Sequence, residues 1–206
     1  MKSLLARSFK KGFTLVELLI VIGLLGAIAL IVIAAINPIE QANRARDARF
    51  RADGGQIISA VERYFASHSS FPWEGCAGSS CTTSSEAAFG FVSASDDGVG
   101  LCSGSSCATA GILVTGDELK SEFIARDFIK ATAVDKKIFV GKGQGSSSSM
   151  YACYIPLSKA TRDTAITNVK IRSLSFDANG VPSVNSACTT ANDNWGQNGC
   201  YVCIPE

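Results

Sequence analysis

Histidine is nearly missing from this sequence, with His68 the single copy. Chemistry that relies on an imidazole base or a histidine-rich metal site therefore has little to work with. Placed beside serines at the end of an apolar-periodic segment, His68 reads as a surface residue rather than a base. An excess charge of either sign is also lacking. The formal net charge is +1, and once the first twelve residues are set aside it becomes −3, with 15 basic against 18 acidic residues. Nucleic acid is not indicated as a partner, because no general attraction to phosphate follows from such a balance. A nucleotide loop is missing too: Gly141-Lys-Gly-Gln-Gly145 is followed by four serines instead of a glycine-lysine-Ser/Thr turn into a helix. Asp96-Asp97 and Asp177 with Asn179 are too sparse for a calcium site. The reading is a protein with no catalytic residue, no cofactor and no metal.

The remaining absences are regional. Acid is missing from residues 1–12, which carry Lys2, Arg7, Lys10 and Lys11, and cysteine is missing from residues 1–75. Between Phe13 and Ile36 the one charge is Glu17. As a helix, those 24 positions run about 36 Å, enough to cross a hydrocarbon core of about 30 Å with some tilt. Four cations before the run keep residues 1–12 cytoplasmic and send the rest outward. A secretory signal peptide fits poorly: Ala27-Ile28-Ala29 imitates a cleavage site, but the apolar run continues to Ile36.

Eight cysteines lie between Cys76 and Cys203, all on the exported side of this segment. An even number in an oxidising compartment points to disulfides. Zinc is the competing reading, because Cys200 and Cys203 have C-x2-C spacing. A zinc ribbon needs a second close pair, whereas Cys76/Cys81 and Cys102/Cys107 are C-x4-C within Ser/Gly-rich loops. Those two pairs read as local loops. Cys153, Cys188, Cys200 and Cys203 sit in or beside candidate strands and staple the C-terminal end, with their connectivity left open.

A plain anchor explains neither Glu17, which costs about 2.5–3.5 kcal/mol at a helix centre on insertion scales, nor a glycine set between two lysines and a phenylalanine. Residues 11–22, K-G-F-T-L-V-E-L-L-I-V-I, resemble the N-terminus of type IV prepilins and of type II secretion pseudopilins. The resemblance is close over residues 10–36 and looser to about Phe65. It implies that a membrane-bound prepilin peptidase, recognising the leader with Lys10 and Lys11, cuts between Gly12 and Phe13 and N-methylates Phe13. It further implies that Glu17 neutralises the new N-terminal ammonium of a neighbouring subunit as a filament assembles. A charge pair in low dielectric is attractive, while either charge alone is penalised. The bland alternative is that Glu17 complements its own helix N-terminus.

The implied architecture is α+β: a hydrophobic helical spine packed on a C-terminal antiparallel sheet domain, stapled by disulfides. Its expected segments are a removed leader (1–12), a membrane and filament-core helix (13–36), an amphipathic second half of the spine (37–67) and a globular head (68–206). Pro38 is expected to kink the spine. Arg44, Arg46, Arg49 and Arg51 are interleaved with Glu40, Asp47 and Asp53, which suggests a solvated helix just outside the membrane, placed to grip headgroups or adjacent subunits. Phe50, Ile57, Ile58, Val61, Tyr64 and Phe65 form an apolar face. Gly54-Gly55 weakens this helix without ending it. Residues 73–110 read as a long surface connection and Asp117–Lys130 as one short helix. Strands are expected at Lys137–Val140, Met150–Ile155, Val169–Phe176, Val181–Val184 and Tyr201–Ile204, with a hairpin turn at Asp177–Gly180.

The function implied is a structural filament subunit, a pilin. The alternatives are a pseudopilin or minor pilin of a secretion or DNA-uptake machine, or, in a different class, a membrane-anchored binding module that never polymerises. Implied partners are the peptidase and methyltransferase, further copies of the chain, and an inner-membrane assembly platform with its ATPase. The protein is expected in the membrane first and then in an extracellular or periplasmic filament.

Overall fold

A computed structural model describes residues 12–35, 37–76, 81–104 and 107–206. The chain divides into two compact units, Met1–Ile39 and Glu40–Glu206.

The first unit is dominated by helix α1, Leu15–Ala35. Its 21 residues span about 32 Å, and those from Leu15 to Ile33 are apolar and long enough to cross a membrane. Every side chain from Gly12 to Ile33 is exposed in the isolated chain. An apolar surface that continuous needs lipid or protein around it.

Helix α2, Pro38–His68, begins on a proline, a residue suited to the first helical position because its missing N–H has no partner there anyway. Asn37 stands between the two helices outside either. Phe50, Ile57, Ile58, Val61 and Tyr64 are buried at three- and four-residue intervals, so this face is the one that packs. It covers a four-stranded antiparallel sheet of order β1-β4-β5-β8. The strands are β1 (Phe89–Ser93), β4 (Ile138–Lys142), β5 (Met150–Tyr154) and β8 (Val202–Ile204). Two short strands, β2 (Cys102–Ser103) and β3 (Thr109–Ala110), pair with each other, as do β6 (Arg172–Phe176) and β7 (Pro182–Val184). Three short helices complete the unit: α3 (Ile112–Thr115), α4 (Asp127–Lys130) and α5 (Lys159–Thr167).

Alternation along the central strands divides the apolar residues into two cores. Ile138, Val140, Ala152 and Tyr154 join the α2 face. Cys153, Val202 and Cys203 join Trp195, Ala165 and Ile171 in a second cluster. Cys153 lies directly opposite Cys203 in register, and the two are bonded. Cys188 bonds Cys200, Cys76 bonds Cys81, and Cys102 bonds Cys107.

Three expectations need correction. Asp117–Lys130 is not one helix but a 3-10 turn at Ser121–Ala125 followed by α4, with extended Arg126 between them. Phe123 and Phe128 are both buried and meet edge to face at 6.0 Å. Five residues apart, they would diverge by about 140° on a continuous helix, so the break lets both enter one core. Residues 73–110 are not a surface connection either. Trp73, Phe89, Val99 and Leu101 are fully buried, and a stack of rings runs from Phe65 through Phe71 and Trp73 to Phe89. Finally, the strand expected from Val169 starts at Arg172, because Val169 has a left-handed φ of 53°. Strand β1 and helix α5 were not anticipated. The Asp177–Gly180 turn joins β6 to β7, with Asp177 Oδ1 accepting from the amides of Asn179 and Val181.

Candidate processing and assembly site

Gly12 and Phe13 precede α1 in non-helical backbone, and Phe13 is 83% exposed. A non-helical, uncovered peptide bond is the form a peptidase can reach. Lys10 and Lys11 lie outside the described residues.

Helix α1 starts from a reciprocal cap. The Thr14 hydroxyl accepts from the Glu17 amide at 3.2 Å, while Glu17 Oε2 accepts from the Thr14 amide at 3.0 Å and from its hydroxyl at 2.9 Å. This is the capping box of a Thr-x-x-Glu sequence, which satisfies two amides that a helix start otherwise leaves orphaned. Thr14 is a functional residue beyond those expected, and its signal is the Thr-x-x-Glu spacing to Glu17. Among the described residues these three hydrogen bonds all join Glu17 to Thr14, and Oε1 accepts none.

A cappable helix start, an exposed Gly-Phe bond and an apolar helix with one acid are the features of a processing signal. Residues 7–33 match the family model described as the prokaryotic N-terminal methylation motif. The chain carries a prepilin signal. That signal is shared by type IV pilins and pseudopilins. No curated protein and no solved structure matches the chain.

The head carries a different arrangement. Helix α5 receives two carboxylates from α2. Glu40 accepts from the Ser158 hydroxyl at 2.7 Å and from the amides of Lys159 and Ala160 at 3.1 and 3.2 Å. Asp47 accepts from the amides of Leu157 and Ser158 at 3.0 and 2.9 Å. Ser158 Oγ in turn accepts from the Thr161 amide at 3.3 Å, so the orphan donors of α5 are filled from within the unit. The Ser158 hydroxyl, the two amides and Arg44 pull the Glu40 carboxyl down from 4.5 to about 2, against the opposing effect of burial. Asp53, also on α2, behaves in the opposite way. Burial pushes its pKa up, with Arg126 and Arg49 opposing, and Arg126 stands 3.6 Å from its Oδ1.

The other candidates from the sequence resolve into structural roles. His68 Nδ1 is within 3.1 Å of the Tyr64 carbonyl and 2.8 Å of Ser67 Oγ, both in its own helix. Lys142, from the glycine-rich segment, is buried, and its ammonium donates to the carbonyls of Ser85, Gly143 and Gly145. Its pKa is lowered by burial, with Glu86 and Glu74 opposing. It holds a loop in place by gathering three carbonyls, of which that of Gly145 also accepts from the Ser148 amide. Among the described residues no three His, Cys, Asp or Glu side chains gather into a metal-binding group.

Proposed function

We propose that the chain is a structural subunit of a type IV pilin-like filament. Prepilin peptidase hydrolyses the Gly12–Phe13 amide, water leaving a carboxylate on Gly12 and an ammonium on Phe13, and Phe13 is then N-methylated. Until assembly α1 seats the subunit in the membrane, with residues 1–12 on the cytoplasmic side. An inner-membrane platform and its ATPase then transfer it into a filament outside, with Pro38 as the point where the spine bends.

The observation that supports this reading most is the environment of Glu17. One carboxylate oxygen is held by Thr14, and among the described residues no donor meets the other, in a helix that is exposed from Leu15 to Ile33 and otherwise apolar there. In lipid that acid is a penalty; beside the ammonium of a neighbouring Phe13 it becomes half of an attractive pair. A pseudopilin would use the same steps, but a head of this size with eight cysteines suits a surface pilus better than a short periplasmic one.

Glu17→Ala is expected to leave the protein exported and membrane-bound but to abolish sedimentable filaments. Wild-type filament yield from this variant would reject the role of the carboxylate, and a wild-type protein that never sediments would favour a membrane-tethered binding module. Intact mass should show loss of residues 1–12 and gain of one methyl group; a retained Met1 overturns the maturation step.

A further inference from the structure

Along the first half of α2 the sequence alternates signs, but the fold sorts them. Asp47 and Asp53 are each 3% exposed and Glu40 is 17% exposed, all turned into the head, while Arg44 and Arg51 are about half exposed and Arg49 is exposed. On one flank this outward cationic face deepens into a cleft of about 440 Å³ floored by Phe50 and Phe128. Arg46, Arg49, Arg126 and Lys136 line it against Asp53 and Asp127, a net charge of +2 drawn from three separate segments. Arg46 is already engaged by the carbonyls of Ile155 and Asp135, and Arg126 stands 3.6 Å from Asp53 Oδ1, which leaves Arg49 and Lys136, with the exposed side of Arg126, to meet a ligand.

We propose that this cleft docks the headgroups of anionic phospholipids while the subunit waits in the membrane. The proposal rests on the membrane-anchored reading of α1. Chain length limits where the cleft can be. Twelve helical residues of α2 and three connecting steps keep Arg49 within about 28 Å of Ala35, whatever the orientation of the two units. A lipid surface is therefore within reach from the moment of insertion, whereas a second copy has to be recruited. Each cation brought near an anionic surface strengthens association about fivefold, and the effect fades within about 10 Å, so it demands contact. Docking would hold the head against the bilayer and hold back subunits before assembly.

The test uses the full chain in nanodiscs of neutral lipid, or of neutral lipid with about 30% phosphatidylglycerol, each with a trace of headgroup spin label. Floatation with neutral discs reports anchoring by α1. Broadening of the Asp127–Lys136 amide signals, referenced to the β6–β7 hairpin, reports docking. Broadening is expected to be at least about threefold greater in anionic discs and to vanish at about 0.5 M salt. Arg49→Gln with Lys136→Gln should abolish it, Arg172→Gln should leave it intact, and Asp53→Asn should increase it by removing an acid from the cleft. Equal broadening in both lipids, or no response to the double substitution, overturns docking while floatation still upholds the anchor. A signal that disappears at one chain per disc assigns the cleft to a second copy and also overturns it. Failure to float overturns both readings together.

Discussion

Two carboxylates on one helix illustrate how environment sets the sign of a charge's contribution. Glu40, whose pKa is lowered to about 2 from 4.5, adds stability that is fully present above about pH 4.5 and is lost as pH falls toward 2. Asp53 is raised above its usual 3.8, so its ionisation costs stability once pH climbs past that value. Glu40→Ala should lose about 1–2 kcal/mol at pH 7, the scale of a lost helix cap, with the deficit shrinking at pH 3. Asp53→Asn should gain about 1 kcal/mol at pH 7, because Arg126 is exposed enough to be hydrated without its partner. Urea unfolding at both pH values checks the pair, and equal effects of the two substitutions would contradict the assignment. Glu17 combines the two behaviours: it is capped by Thr14 at its own helix start, and it is still costly in lipid. Its capping role was legible as Thr-x-x-Glu, because a capping box is a local pattern. The inward turn of Asp47 and Asp53 was not, because it depends on α5 and Arg126, more than seventy residues away.

At the scale of the element, Gly54 and Gly55 are adjacent and equally weak as helix formers, yet they serve different ends. A Cβ on Gly54 would stand 3.1 Å from Ala152 Cβ and 3.2 Å from Ile204 Cδ1, so Gly54 sets how closely α2 approaches β5 and β8. A Cβ on Gly55 would meet nothing within 4 Å. Gly55→Ala is therefore expected to stabilise the protein by about 0.5–1 kcal/mol, and Gly54→Val to destabilise it by about 1–3 kcal/mol. Thermal unfolding of the two variants decides, and a gain for Gly54→Val would contradict the packing described. The helix was expected to survive this pair, and it does. The interruption at Arg126 was not expected, since apolar spacing at Leu119, Phe123 and Ile124 imitates a helix until Phe128 must share their core.

For the whole molecule, the disulfides divide by the length of chain they close. Cys153–Cys203 spans 50 residues, Cys188–Cys200 spans 12, and the two small loops span 5 each. In the chain-entropy account the first contributes about 4 kcal/mol and a small loop about 2. Replacing Cys153 and Cys203 together by alanine should lower the unfolding midpoint far more than replacing Cys76 and Cys81, and the reverse order would show that the small loop carries more than its closure. The long bridge ties β8 to β5 within the sheet that α2 covers, so the C-terminal end is stapled to the helix-bearing core.

The processing signal, the membrane-length helix, the disulfide chemistry and the amphipathic face of α2 are legible in the order of residues along the chain. Each is carried by contiguous residues or a short period, and the energies involved act within a turn or two of chain. Which cysteines pair across the sheet, where the helix before Lys130 breaks, that residues 73–110 supply core rather than surface, and that Asp47 and Asp53 turn inward while Arg44, Arg49 and Arg51 stay outward are settled only in the folded chain. Those outcomes are settled by competition for one buried volume and for the open amides of α5, and neither exists until distant segments meet.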